Sequence, residues 1–301
     1  MTSAHYDVLI IGSGFGGSVT AMRLAEKGYH VGVLEAGKRY DTDDLPTSSW
    51  DTRRFVWAPR LGCFGIQRIH LLRDVVILAG AGVGGGSLNY ANTLYQPPAP
   101  FFNDPQWAHI TDWHAELDPH YQTARRMLGV TQNPHVTPSD KVLREVARDM
   151  GVEHTFTLTP VGVFFGEPGK EVPDPFFGGA GPRRTGCTQC GSCMTGCRVG
   201  AKNTLDKNYL YFAEKLGAEV RPLTTVVRPD RCCSLSTLQF STMARKELVS
   251  GPGRSTHLNS RLPMFRACPS NIHLTTFGAQ TMATTYCCER KSVATCKDVP
   301  S

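Results

Sequence analysis

The mostly apolar run Tyr6-Asp-Val-Leu-Ile-Ile11 breaks directly into Gly12-Ser-Gly-Phe-Gly-Gly17, and no other feature constrains the fold of this chain as strongly. A short apolar run of this kind reads as a buried parallel strand. Ser18 to Lys27 then reads as a helix, with Val19, Met22 and Ala25 on one face and Gly28 at its C-terminal end. His30 to Leu34 reads as a second strand and ends on Glu35. Strand, glycine turn, helix and strand within about thirty residues make a βαβ unit. The fold class expected is α/β, a Rossmann-type domain with a parallel sheet.

Each glycine of this G-x-G-x-x-G has a task. Gly12 permits the tight turn, Gly14 lets backbone approach a pyrophosphate, and Gly17 lets the helix pack close to the strand. Ser13, Phe15 and Gly16 complete the turn and the first helical residues, where free N–H groups and the helix dipole favour phosphate. Glu35 stands 21 residues beyond Gly14, where a carboxylate can accept both ribose hydroxyls and would repel a 2′-phosphate. The motif alone leaves FAD and NAD open and argues against NADP.

A second glycine run follows Val75-Val-Ile-Leu78, which reads as a short strand. Gly80, Gly82, Gly84, Gly85, Gly86 and Ser87 crowd together and lead into Leu88-Asn-Tyr-Ala-Asn92. Such density lets backbone lie against a flat or anionic ligand, with Ser87, Asn89 and Asn92 adding donors and acceptors.

With Leu34-Glu-Ala-Gly37 and Gly200-Ala-Lys-Asn-Thr-Leu205, these motifs resemble the glucose–methanol–choline oxidoreductases, in particular the cholesterol oxidase type found in actinobacteria. The resemblance runs from residue 6 to about 228. It implies non-covalent FAD, with adenosine on Gly12 to Glu35 and the flavin end near Gly84 to Asn92. The cofactor-binding residues implied are Gly12, Ser13, Gly14, Phe15, Gly16, Gly17, Glu35, Gly82, Gly84, Gly85, Gly86, Ser87, Asn89 and Asn92. It implies FAD-dependent oxidation of an alcohol, a sterol 3β-hydroxyl in this type, with oxygen reoxidising the flavin and ketosteroid isomerisation as an associated activity. Many relatives carry Asn three residues after the serine; here that position is Tyr90, between Asn89 and Asn92.

The four cysteines Cys187-x-x-Cys190-x-x-Cys193-x-x-x-Cys197 have ferredoxin spacing, with Arg198 where ferredoxins place Pro. They could hold one iron–sulfur cluster or a zinc ion, or be plain thiols in a glycine-rich loop. The alternatives to the oxidase are a non-catalytic FAD-binding or cysteine–metal fragment and a cluster-linked alcohol dehydrogenase.

Between these motifs, residues 38–75 read as irregular, Pro119 to Leu128 as a helix capped by Asp118, Ser139 to Met150 as a helix, residues 159–186 as a long loop, Leu205 to Leu216 as a helix and Glu219 to Val227 as a strand. His70, His109, His114, His120 and His154 have no triad-like context and read as structural.

The last 73 of the 301 residues differ in character. Residues 229–301 carry net charge +5 of the total +6, and six of the eleven cysteines. They match no part of the family's substrate domain, and look like a shifted reading frame or an abnormal end. Two regions follow: residues 1–228, FAD-binding, and 229–301, unassigned, with the substrate domain incomplete and catalytic residues unknown. Sterol turnover by this chain is therefore not expected. The basic balance sits in that tail and argues nothing about a nucleic-acid surface; the main body lacks Lys/Arg clusters interleaved with aromatics, and no nucleic-acid partner is expected. No stretch approaches the roughly 18 apolar residues of a membrane span. Without a basic n-region at the N-terminus or an even cysteine framework, the expected compartment is the cytoplasm.

Overall fold

A computed structural model of the chain describes residues 6–229, 238–242 and 284–287. β1 (Val8–Ile11), α1 (Phe15–Glu26) and β2 (Val31–Leu34) follow in order, and the two strands pair in parallel with Val8 opposite Val31. The expected βαβ unit is present. α1 begins at Phe15, three residues before the sequence reading, because its N-cap Gly14 is already extended. Its buried residues Gly17, Ser18, Ala21, Met22 and Ala25 recur at helical spacing and face the sheet.

The middle of the chain is more ordered than its irregular sequence suggests. β3 (Gln67–Leu71) and β4 (Val76–Gly80) form an antiparallel hairpin that pairs Gln67 with Gly80. Leu71, Val76 and Leu78 are exposed, so the hairpin's hydrogen bonding, not burial, defines these strands. α2 (Trp113–Met127) corrects the reading that placed a helix start at Pro119. The Asp112 carboxylate accepts the Ala115 N–H at 3.1 Å and caps the helix there, while Pro119 lies inside it. Asp118 accepts from Gln122 across one turn and is no cap. α3 (Pro138–Asp149) starts at a reciprocal box in which Thr137 and Asp140 bond each other's backbone N–H.

The expected helix from Leu205 to Leu216 is divided. Leu205–Lys207 is a single 3₁₀ turn, Asn208 leaves helical geometry, and α4 (Tyr209–Lys215) follows. Leu205, Tyr209, Leu210 and Ala213 are buried, and Leu216 is exposed. The strand expected over 219–227 is likewise two: β5 (Glu219–Arg221) and β6 (Thr224–Pro229), separated at Leu223 with φ 54°. β6 pairs with β7 (Leu238–Thr242), and β8 (Thr284–Cys287) completes the described strands.

The main sheet has the order β5-β2-β1-β8. β5, β2 and β1 are parallel, as expected. β8 is antiparallel to β1, with Val8 opposite Cys287, so the unassigned segment 229–301 supplies strands at 238–242 and 284–287. The rest of 229–301, with five of its six cysteines, lies outside the described residues. α1 and α4 pack together over the sheet, and Val8, Ile10, Val31, Val33, Ala21 and Leu210 form the centre of the core. Among the described residues, no helix is long and apolar enough to cross a membrane.

The α1–β1 contact is set by Gly17. A Cβ there would stand 2.0 Å from the Gly12 carbonyl oxygen. Gly17→Ala is expected to cost about 3 kcal/mol or more through overpacking. Gly28→Ala, at φ +83° with open space around it, is expected to cost only about 1 kcal/mol from backbone strain. Urea unfolding of the two variants measures the difference; equal losses would mean that α1 lifts off the strand freely.

Candidate functional site

The two glycine runs, some seventy residues apart in sequence, form one surface. Gly12 takes φ 92° and turns the chain from β1 into α1. Gly14 caps α1 without a side-chain hydrogen bond, and no acidic side chain lies in the first turn. The first N–H groups of a twelve-residue helix therefore have no side-chain cap. The second run lies against this turn: a Cβ at Gly85 would come within 2.8 Å of the Gly14 Cα. Phe15 and Gly16 are exposed at the helix start.

Glu35 is buried at the end of β2. Its Oε2 accepts the Ser13 N–H at 3.0 Å and the Ser13 hydroxyl at 2.7 Å, and its Oε1 accepts the Gly37 N–H at 2.7 Å. The Ser13 hydroxyl in turn accepts the Gly84 N–H at 3.1 Å. A carboxylate offers about four lone-pair sites, so three are taken by protein and one on Oε1 is left. The expectation that Glu35 accepts both ribose hydroxyls narrows to one while Ser13 holds this position.

The polar residues of the second run are engaged with protein. Ser87 is fully buried; its hydroxyl donates to the Gly84 carbonyl at 2.7 Å and accepts the Leu205 N–H at 3.0 Å. Asn89 donates to the buried Gln67 side chain at 2.8 Å. Asn92, at φ 60°, donates to the Cys193 sulfur at 3.1 Å. Gly82 takes φ 141°, and Gly86 follows Gly85 within a 3₁₀ turn. The structure thus brings Gly12 to Gly17, Glu35 and Gly82 to Gly86 together, and turns Asn92 toward the cysteine loop.

Lys202 was not singled out in the sequence. It is fully buried, and its ammonium donates to the carbonyls of Leu88 at 2.9 Å, Tyr90 at 3.0 Å and Cys193 at 2.7 Å. Burial pushes its pKa down to about 8, against the opposing pull of Cys193 and Cys197. The Tyr90 phenol donates to the Asn203 carbonyl, and burial raises its pKa. The only signal for Lys202 is a lysine between alanine and asparagine in Gly200 to Leu205, and composition alone places such a lysine on the surface.

The cysteine loop lines a cavity of about 270 Å³ that all four predicted cysteines reach, together with Asn92, His135 and Lys202. Among the described residues, no three His, Cys, Asp or Glu side chains converge as a single metal ion requires. The arrangement therefore does not bear out the expected iron–sulfur cluster or zinc ion at these cysteines. Of the lone histidines, His114 packs edge-on against Phe102, and His109 lies 3.4 Å from the Pro105 carbonyl.

The Ser13–Glu35 bonds carry a stability consequence. Glu35→Gln turns an amide N–H₂ or a single oxygen toward three donors and is expected to lower stability by about 1–3 kcal/mol. Ser13→Ala is expected to cost about 1–2 kcal/mol, since it strands the Gly84 N–H as well. The pair combined should cost less than the sum of the singles, which a double-mutant cycle by chemical denaturation reads directly.

A family model described as an NAD(P)-binding Rossmann-like domain matches residues 10–40. The chain is 64% identical over 251 residues to a cholesterol oxidase of Mycobacterium tuberculosis, covering 80% of this chain and 43% of that protein. It is 52% identical over 226 residues to a cholesterol oxidase of Acinetobacter baumannii, covering 74% of this chain and 41% of that one. The solved structure of a pyridoxine 4-oxidase from Mesorbium loti is 16% identical, with TM-score 0.48, over 78% of this chain and 45% of its own. The chain spans less than half the length of the curated cholesterol oxidases it matches. With its Rossmann-type βαβ unit and second glycine run, most of the chain is closely similar in sequence to cholesterol oxidases, in keeping with its resemblance to the glucose–methanol–choline oxidoreductases.

Proposed function

We propose that residues 1–228 form the FAD-binding part of an FAD-dependent alcohol oxidase, with a sterol 3β-hydroxyl as substrate and molecular oxygen as acceptor. The observation that carries this reading is the contact between Gly14 and Gly85 at a helix N-terminus with no side-chain cap. The identity to cholesterol oxidases supports the substrate class. FAD is favoured over NAD because the second glycine run extends the same surface beyond the dinucleotide turn, as a flavin requires.

FAD supplies hydride acceptance from the alcohol carbon when it is bound. The chain's own groups bind and orient it. The first-turn N–H groups of α1 meet the pyrophosphate without reorganisation, because their orientation is set by the helix. Glu35 keeps one acceptor site for a ribose hydroxyl and holds the turn through Ser13. Gly82, Gly84, Gly85 and Gly86 keep side chains away from the surface beside Gly14.

Gly14 has φ −69° and ψ −167°, a conformation any residue adopts, so Gly14→Val blocks space without straining the backbone. It is expected to weaken FAD binding to deflavinated protein by at least about a hundredfold, roughly 2.8 kcal/mol. Flavin fluorescence titration measures this, and unchanged affinity would refute the assignment.

Hydride transfer also needs a base within about 3 Å of the hydroxyl proton. The glycine surface is built of backbone groups and supplies none. Oxygen uptake by the flavin-loaded chain with cholesterol is expected to remain at the level of buffer. Turnover comparable to a full-length cholesterol oxidase would show that residues 229–301 complete a working site.

A further inference from the structure

We propose that Lys202 is a positioning residue of the FAD site, fixing the backbone of the second glycine run against the head of α1. The inference rests on the FAD reading above. It assigns a role to two features that reading leaves unused, the Gly200-Ala-Lys-Asn-Thr-Leu205 segment and the tyrosine at position 90.

Lys202 starts from a fixed backbone. Its residue bridges to Val163, the Asn203 N–H donates to the Gly162 carbonyl at 2.8 Å, and the Phe164 N–H donates to the Ala201 carbonyl at 2.9 Å. Its own N–H donates to the Cys197 sulfur at 3.3 Å. The side chain is fully buried, and its ammonium meets the carbonyls of Leu88, Tyr90 and Cys193 at 2.9, 3.0 and 2.7 Å. An ammonium has three N–H donors and no acceptor, so donors and acceptors match one for one. Leu88 ends the 3₁₀ turn Gly85–Leu88, and Tyr90 follows two residues later. Their carbonyls, both drawn to one cation, fix the exit of the glycine run. The Leu205 N–H holds the same stretch from the other end of the segment, through the Ser87 hydroxyl at 3.0 Å.

Tyr90 carries the constraint to the first glycine run. Its phenol donates to the Asn203 carbonyl at 2.9 Å, and the Lys202 ammonium stands 4.7 Å from its ring centroid. The same ring meets Phe15 edge-on, with centroids 6.4 Å apart. Phe15 is the first residue of α1, whose N–H groups form the pyrophosphate end of the surface. Lys202, Tyr90 and Phe15 thus join both glycine runs. A buried cation among carbonyls contributes little net stability. What it contributes is one arrangement of a glycine-rich backbone that otherwise has many.

Proton loss from Lys202 separates this role from a purely structural one. Burial brings its pKa down to about 8; Cys193, Cys197 and Asp206 pull it up, and Lys207 pushes it down. Tyr90 also faces it, and Cys187, Cys190 and His135 line the same cavity. A neutral amine keeps two N–H groups and turns a lone pair to the third carbonyl, so the 88–90 backbone loosens. Stability moves the other way. The native pKa lies below lysine's ordinary 10.5, so between these values the unfolded chain holds a proton the native chain has lost. This group therefore adds stability as the pH rises through that range, while FAD affinity falls with the protonated native form.

The test is flavin fluorescence titration of the deflavinated full chain from about pH 6.5 to 9, with urea unfolding at each pH. The unaltered chain is expected to lose about fivefold or more in affinity through pH 8 without losing stability. Lys202→Met should bind FAD about tenfold more weakly at pH 7, keep the wild-type circular dichroism and lose the pH dependence. Propylammonium should restore part of the affinity of Lys202→Ala. If no Lys202 variant folds, Cys193→Ala and Cys197→Ala are titrated instead, and the fall should persist in both. Its disappearance there would assign it to the thiols and overturn the proposal. So would a folded Lys202→Met with wild-type affinity, or a fall that persists in it. FAD binding that ignores Lys202 fails this proposal alone, whereas an unaltered chain that binds no FAD at any pH fails the FAD reading and this proposal with it.

Discussion

A buried carboxylate holds this structure's glycine surface in place. Glu35 sits at the end of β2, and its bonds reach Ser13 in the turn before α1 and Gly37 beyond the strand. Through the Ser13 hydroxyl they extend to the Gly84 N–H of the second run. An isolated buried carboxylate is expensive, and it is tolerated here because three N–H or O–H groups bond it directly. The same bonds remove the freedom of a glycine-rich chain, which otherwise loses more entropy on ordering than any other. Two loops that would be mobile separately become one shaped surface at the head of α1.

Lys202 does for the cysteine loop what Glu35 does for the turn. Its ammonium gathers carbonyls from Leu88, Tyr90 and Cys193, so the exit of the second glycine run and the cysteine loop share one cation. Ser87 adds a neutral tie from the same run to the start of the 205–216 segment. The glycine surface and the cysteine cavity therefore rest on a common polar framework.

The parts legible in the sequence were those with local causes. A strand that ends in glycine, a helix with small residues at helical spacing and an acidic residue after the next strand need only neighbouring residues to declare themselves, and β1, α1, β2 and Glu35 appear where expected. α3 likewise begins one residue before the expected Ser139, at a box between Thr137 and Asp140 that the structure shows. Errors arose where a local signal competed with a more distant one. Pro119 looks like a helix start, but Asp112 caps the helix seven residues before it and the helix runs through the proline. Leu205 to Leu216 has a continuous apolar face, yet Ser87 bonds the Leu205 N–H, and Asn208 caps a new helix through its bond to the Tyr209 N–H.

By itself, the sequence determined the βαβ unit, the chemistry offered at its turn and the spacing of four cysteines along a loop, because periodicity and glycine conformation act over a few residues. Only the tertiary structure decided which polar groups stay available. It committed Ser87 and Asn89 to protein partners, took three of the four acceptor sites on Glu35, turned Asn92 to sulfur and buried Lys202 between two loops. The deciding contacts among them, Ser13 with Glu35, Asn89 with Gln67, Asn92 with Cys193, Lys202 with Leu88 and Ser87 with Leu205, join residues from 22 to 118 positions apart. A donor or acceptor finds such a partner only when packing brings the backbone carrying it within about 3 Å.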